Sequence, residues 1–156
     1  NTTTASNLNS QGDAVMKAIA SAGLTNAIIN LMVMDYGAAG AQTCVVGGNG
    51  KCDMGLSAIQ AAENLKSRFQ IPYGRIELTP MIGVNDVSDE IFTVGDTDVM
   101  TRWARQNGLA GLHFWSIDRD TPCQQVSTTT ASPLCSSVQG GKPWDYTSRL
   151  ILDLGL

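Results

Sequence analysis

Histidine is nearly missing from this 156-residue sequence; His113 is the single one, and it sits in an apolar run. A zinc site built on short Cys-x₂₋₄-Cys spacing with histidines is therefore not expected. Charge is also scarce, at 15% of residues, and the 14 acidic side chains outnumber the 10 basic ones for a net charge of -4. That balance excludes the basic footprint of a nucleic-acid binder. No apolar run reaches 18 residues, so no membrane span is expected. The start, Asn1-Thr-Thr-Thr-Ala-Ser6, is polar and lacks a signal-peptide pattern; it reads as an internal or processed end. Gly47-Gly-Asn-Gly50 has neither a Lys-Ser/Thr pair nor a strand before it, which excludes a phosphate loop. What remains is an ordinary globular composition, 43% apolar, at a length for one domain and not for two full cores.

The four cysteines fall as two close pairs, Cys44 with Cys52 and Cys123 with Cys135, in Gly- and Ser-rich loops. Local disulfides are the better reading than free thiols, although four cysteines allow three connectivities and spacing alone does not choose. Disulfides imply an oxidising compartment, hence an expected secreted protein.

A β-α alternation repeats three times. The segment 13–22 places Val15, Ala18, Ile19 and Ala22 on one helical face, ended by Gly23. Ala27 to Asp35 is apolar on both parities, as a parallel strand covered on both faces should be. After a Gly-rich loop, 56–69 has apolar Leu56, Ile59, Ala62, Leu65 and Phe69, with Ser57 and Gln60 as a capping box. Arg75 to Val84 reads as a second strand, followed by Asn85-Asp86. Asp96 caps a helix through Val99, Trp103 and Ala104 to Gly108. Leu109 to Ile117 reads as the third strand, followed by Asp118-Arg119-Asp120. A Thr/Ser/Pro-rich loop runs to Trp144, and 145–154 closes the chain as a helix.

Alternating strands and helices call for a parallel sheet, and such sheets gather their chemistry at the carboxyl ends of the strands. Each predicted strand ends in polar groups: Asp35-Tyr36, Asn85-Asp86, and Trp115 with Asp118-Arg119-Asp120. The recurrence points to one shared site. Three such strands alone would leave two long apolar edges, which stable proteins avoid and a barrel removes by closure. The chain is therefore expected to pair with further strands, a second copy or another chain.

The strand Asn30-Leu-Met-Val-Met-Asp-Tyr-Gly37 resembles the sixth barrel strand of family 18 glycoside hydrolases, the chitinases, whose pattern there is M-x-Y-D. Met32 falls on the Met and Asp35 on the Asp; Met34 stands where the family usually has Tyr, and Tyr36 follows instead. Gly111-Leu-His-Phe-Trp-Ser-Ile-Asp-Arg-Asp120 resembles the eighth strand, and Thr79-Pro-Met-Ile-Gly-Val-Asn-Asp86 the seventh. The resemblance covers nearly the whole chain, 1–156. It implies an α/β fold, a (β/α)₈ TIM barrel of which this chain supplies about strands 6 to 8 and the closing helix. It implies, further, that Asp35 and Tyr36 hold the sugar, that Trp115 forms an apolar floor beneath it, and that Met34, Met81 and Asn85 line the substrate site. An indole suits that floor because it offers a broad, rigid apolar face with one N–H to spare.

The family's D-x-x-D-x-D-x-E strand, whose Glu is the general acid and whose Asp orients the internal N-acetyl nucleophile, does not occur in this sequence. Glu63 reads as mid-helix, Glu77 as lying at the wrong end of its strand, and Glu90 as lacking any partner pattern. His113 is expected as a hydrogen-bonded interior residue, and Asp118, Arg119 and Asp120 as a salt-bridge network at the rim. The leading expectation is part of a secreted chitinase that cleaves β-1,4-linked N-acetylglucosamine, with no cofactor and no metal. Its partners are chitin or its oligosaccharides and the missing N-terminal half of the barrel. This chain alone is expected to be inactive. A non-catalytic, chitinase-like lectin module is the second reading. A small doubly wound nucleotide-binding domain is the third, and it lacks the Gly-rich turn it needs.

Overall fold

The computed structural model describes residues 8–124 and 130–156. The polar start, 1–7, and part of the Thr/Ser/Pro loop, 125–129, lie outside the described residues.

The first helix, α1, spans Ser10–Ser21, one turn earlier than the periodicity suggests, because the Asn9 side chain accepts from the Gly12 N–H and caps it there. The buried residue on α1 is Met16 rather than its neighbour Val15, which is 56% exposed; Ala18 and Ala22 also face outward. Three parallel strands follow, β1 (Ile29–Met32), β2 (Ile76–Thr79) and β5 (Gly111–Leu112), in the order β1-β2-β5. The ladder continues past the last named residues through His113 N–H to Leu78 C=O and Trp115 N–H to Pro80 C=O.

Between β1 and β2 lies α2 (Met54–Phe69), started by Asp53, whose carboxylate accepts from the Leu56 N–H. The expected Ser57–Gln60 box is thus replaced by an aspartate cap; Ser57 is buried and its Oγ accepts from the Val45 N–H. Small residues, Gly55, Ala58, Ala61 and Ala62, form the inward face together with Met54 and Leu65, while Leu56 points out. A Cβ on Gly55 would meet Asp96 at 3.0 to 3.2 Å, so the absence of a side chain is what allows α2 to approach the next helix.

The predicted second strand is broken. Pro80 has no N–H to give, Gly83 turns with φ +77, and Gly83–Val84 (β3) pairs antiparallel with Ile91–Phe92 (β4) in a hairpin. Helix α3 (Val94–Asn107) is capped by Thr93, with Asp96 closing a reciprocal capping box as its third residue rather than as the cap itself. Gly108, with φ +65, ends it as expected. Helix α4 (Asp145–Leu154) has the expected bounds and packs on α3, tied by Arg149 to Asp98.

The core lies on one side of the sheet. Leu31, Val33, Ile76 and Leu78 pack with Met16, Met54, Ala58, Leu65, Phe92, Met100 and Tyr146. The other parity is uncovered, with Asn30, Met32 and His113 exposed. The expectation that the first strand is covered on both faces therefore holds for one face only. Both predicted local disulfides are present, Cys44–Cys52 and Cys123–Cys135. Among the described residues no helix is long and apolar enough to cross a membrane.

Candidate functional site at the carboxyl edge of the sheet

Side chains on the uncovered face stand in rows because parallel register aligns residues of equal parity. Asn30, Glu77 and Gly111 make the first row, directly from the pairing. Met32 and Thr79 make the second, with His113 reached by continuing the register. Past this row Met81 bridges Trp115 in parallel, and Met34 lies two residues beyond the last paired residue of β1. Two residues expected to line a substrate site, Met81 and Trp115, are thus brought side by side at the carboxyl edge, with the third, Met34, just past the end of the neighbouring strand. Trp115 is 54% exposed, presenting its indole to solvent, whereas Met81 is buried beneath the edge. Apart from Met32 and Gly111, the first two rows are polar: Thr79 Oγ1 donates to Asn30 Oδ1 at 2.7 Å, Asn30 Nδ2 donates to Glu77 Oε2, and His113 Nε2 lies 3.2 Å from the same Glu77 oxygen. His113, expected as a hydrogen-bonded interior residue, is instead exposed on the open face of the sheet, with Glu77 as its charged neighbour.

Beyond the last row the chain turns sharply. Asp35 takes a left-handed φ of +51 and Gly37 one of +93, on either side of Tyr36. Asp35 is exposed, and its Oδ1 accepts from the Val87 N–H at 3.1 Å. Asn85, expected at the substrate surface, is fully buried; its amide donates to the Met81 and Gly83 carbonyls at 2.8 and 3.0 Å, and its Oδ1 faces the Asp35 N–H. It stands behind Asp35 instead of beside it. The Tyr36 hydroxyl is buried with no hydrogen-bond partner among the described residues, and burial, with the nearby Glu90 charge adding, pushes its pKa up. In this arrangement Tyr36 turns its ring into the core.

Glu90 was the residue least readable from sequence. It is 1% exposed, and its carboxylate accepts from the Tyr36 N–H at 3.0 Å and the Gly37 N–H at 2.8 Å. Burial raises its pKa, the two amides pull it back, and Asp35 and Asp89 raise it further. Its only sequence signal is its place one residue before a two-residue strand.

The charged trio after β5 is structural, but not as a salt-bridge network. Buried Arg119 donates to the carbonyls of Ile82, Val84 and Ser132. Buried Asp120 accepts from the Tyr146 and Thr147 N–H groups and so caps α4, while Asp118 is exposed. A cleft of about 480 Å³ runs along the unpaired side of β1, lined by Met32, Met34, Asp35 and Tyr36 from the strand and by Asn9 and Thr43 opposite. Trp115 lies outside it.

An α/β layer with aromatic, thioether and carboxylate groups collected past the carboxyl ends of parallel strands is the layout of an enzyme whose site is built on strand-end loops. No protein-family model matches the chain. A protein of Escherichia coli (strain K12) named probable bifunctional chitinase/lysozyme is 33% identical over 127 residues, which is 74% of this chain and 13% of that protein. Endochitinase 11 of Metarhizium anisopliae is 33% identical over 123 residues, 74% of this chain and 22% of that one. The catalytic domain of a hyperthermophilic chitinase from Pyrococcus furiosus superposes with a TM-score of 0.73 at 28% identity, over 96% of this chain and 47% of that domain. A catalytic-site mutant of active domain 2 of the thermostable chitinase from the same organism, complexed with chito-oligosaccharides, superposes at 0.71. Over most of its length the chain is similar to chitinases in both sequence and structure, in agreement with its resemblance to family 18. It spans about half of the solved catalytic domains and less than a quarter of the two curated relatives.

Proposed function

We propose that this chain is strands 6 to 8 and the closing helix of a secreted (β/α)₈ family 18 chitinase. Its substrate is chitin or N-acetylglucosamine oligosaccharides, cleaved at β-1,4 links with retention by the substrate's own acetamido group. The uncovered face is the inner wall of the barrel, and the two outer strands β1 and β5 pair with strands supplied by the N-terminal half. In that setting Trp115 floors the cleavage subsite, Met34 and Met81 complete its apolar wall, and Asp35 hydrogen-bonds the sugar. Asn85 acts through Asp35, and Tyr36 contributes through the loop it occupies. The general acid comes from the other half, so this chain alone does not hydrolyse chitin. Two disulfides suit the oxidising surroundings of a secreted protein.

The parallel bridge between Met81 and the half-exposed Trp115 at the carboxyl edge, with Met34 and Asp35 following the neighbouring strand, is the observation that carries this reading. Hydrolysis of chito-oligosaccharides is the test, measured for this chain and for the whole protein that carries it. Turnover by the whole protein only is the expected result. Turnover by the isolated chain refutes the divided site, and binding without turnover by both favours a lectin.

A further inference from the structure

Three consecutive backbone N–H groups, those of Asp35, Tyr36 and Gly37, all point at side chains of one short segment, 85–90. Asp35 N–H faces Asn85 Oδ1, Tyr36 N–H meets Glu90 Oε2, and Gly37 N–H meets Glu90 Oε1. Successive amides brought together by left-handed residues form a concave anion-binding nest. Here the positive φ of Asp35 and of Gly37 creates one, and an internal carboxylate fills it. The same segment returns a bond, from the Val87 N–H to Asp35 Oδ1. The segment is itself fixed: Asn85 N–H donates to Glu90 C=O, Asn85 Nδ2 bonds Met81 and Gly83 carbonyls, and Arg119 grips the Ile82 and Val84 carbonyls from behind. The β3–β4 hairpin is therefore a clamp on the loop after β1.

We infer that Glu90 is a positioning residue that sets the 35–37 loop and thereby presents the Asp35 carboxylate to the sugar. The inference rests on the sugar-binding role proposed for Asp35. Glu90 itself touches no substrate, being buried behind the loop. A carboxylate is required because its two oxygens serve two amides at once; an amide side chain offers one acceptor and turns an NH₂ group toward the other N–H.

The test uses the whole protein that carries this chain, as wild type, E90Q and E90D. Amide hydrogen exchange reads the clamp directly: in E90Q the Tyr36 and Gly37 amides exchange at least about tenfold faster, as expected when a charge-assisted bond is lost. Chito-oligosaccharide kinetics read the consequence. Misplacing a binding group by about 1 Å lowers kcat/KM roughly 10- to 100-fold, and the loss falls on KM more than on kcat because Asp35 holds sugar and transfers no proton. E90D, which keeps the charge and both acceptors on a shorter arm, recovers part of the exchange protection and of KM. Unchanged KM in E90Q with faster amide exchange, or unchanged exchange, overturns the inference. A wild-type protein that ignores chito-oligosaccharides sinks the chitinase reading instead, and in that event unchanged exchange in E90Q sinks the clamp as well.

Discussion

Single side chains at the strand ends divide into those that face solvent and those that hold the ones that do. Trp115 belongs to the first group, at 54% exposure. Trp115→Ala in the whole protein is expected to raise KM for chito-oligosaccharides about tenfold, roughly 1.4 kcal/mol, while moving stability by about 1 kcal/mol or less; steady-state kinetics and thermal melts check both. Glu90 belongs to the second group. Its carboxyl is raised above its ordinary value of 4.5, with burial the largest cause. The folded state therefore holds this proton more tightly than the unfolded chain, and stability falls as pH rises from 4.5 through the elevated value. The E90Q variant is expected to lose that pH-dependent component, so the difference between its melting temperature and that of the wild type narrows or reverses across this interval. Differential scanning calorimetry between pH 4 and 8 reads it. From sequence, Asp35 and Trp115 were visible because a strand end that switches from apolar to polar or aromatic is a local pattern. Glu90 was not, and Asn85 was visible only as a strand-end polar residue and not in its buried role, since what defines both is a contact about 50 residues away in the chain.

At the level of helices, strands and turns, periodicity located α1, α2, α3 and α4 but misjudged two faces. Large side chains dominate an apolar pattern, yet α2 approaches its neighbours through Gly55, Ala58, Ala61 and Ala62, and this turns Leu56 outward. The β3–β4 hairpin was hidden because each of its strands is two residues long and its turn carries no Asn-Gly or Asp-Gly pair. That hairpin depends on Gly83. A Cβ there would lie 2.0 Å from the Ser136 carbonyl oxygen, and φ is +77 as well. Gly83→Ala is expected to cost roughly 3 kcal/mol or more, through both the clash and the backbone, which urea melts would measure. The disulfides close loops of 8 and 12 residues in sequence separation. Reduction is expected to remove about 2–3 kcal/mol for each, visible as a lower melting temperature in dithiothreitol.

Among the described residues, the sheet has one face covered by helices and one face largely open. Helices cover Leu31, Leu78 and Ile76, whereas the opposite parity offers Met32 at 60% exposure with Ile28 at 56% beside it. With β1 and β5 as outer strands, both ends of the ladder carry unpaired backbone groups. The isolated chain is expected to self-associate, and sedimentation velocity across a concentration series should show the average mass rising; under the barrel proposed above, adding the complementary half should replace that behaviour with a single 1:1 species.

The placement of the core on the helical side has a practical corollary. In the barrel proposed above, a cut between this chain and its complement would pass along a seam of main-chain hydrogen bonds and leave intact the packing around Ala58, Ala62 and Leu65, which are at most 1% exposed. Such a seam would suit a two-piece enzyme: this piece keeps its own hydrophobic interior, and hydrolytic activity would become a direct report of whether the pieces have met.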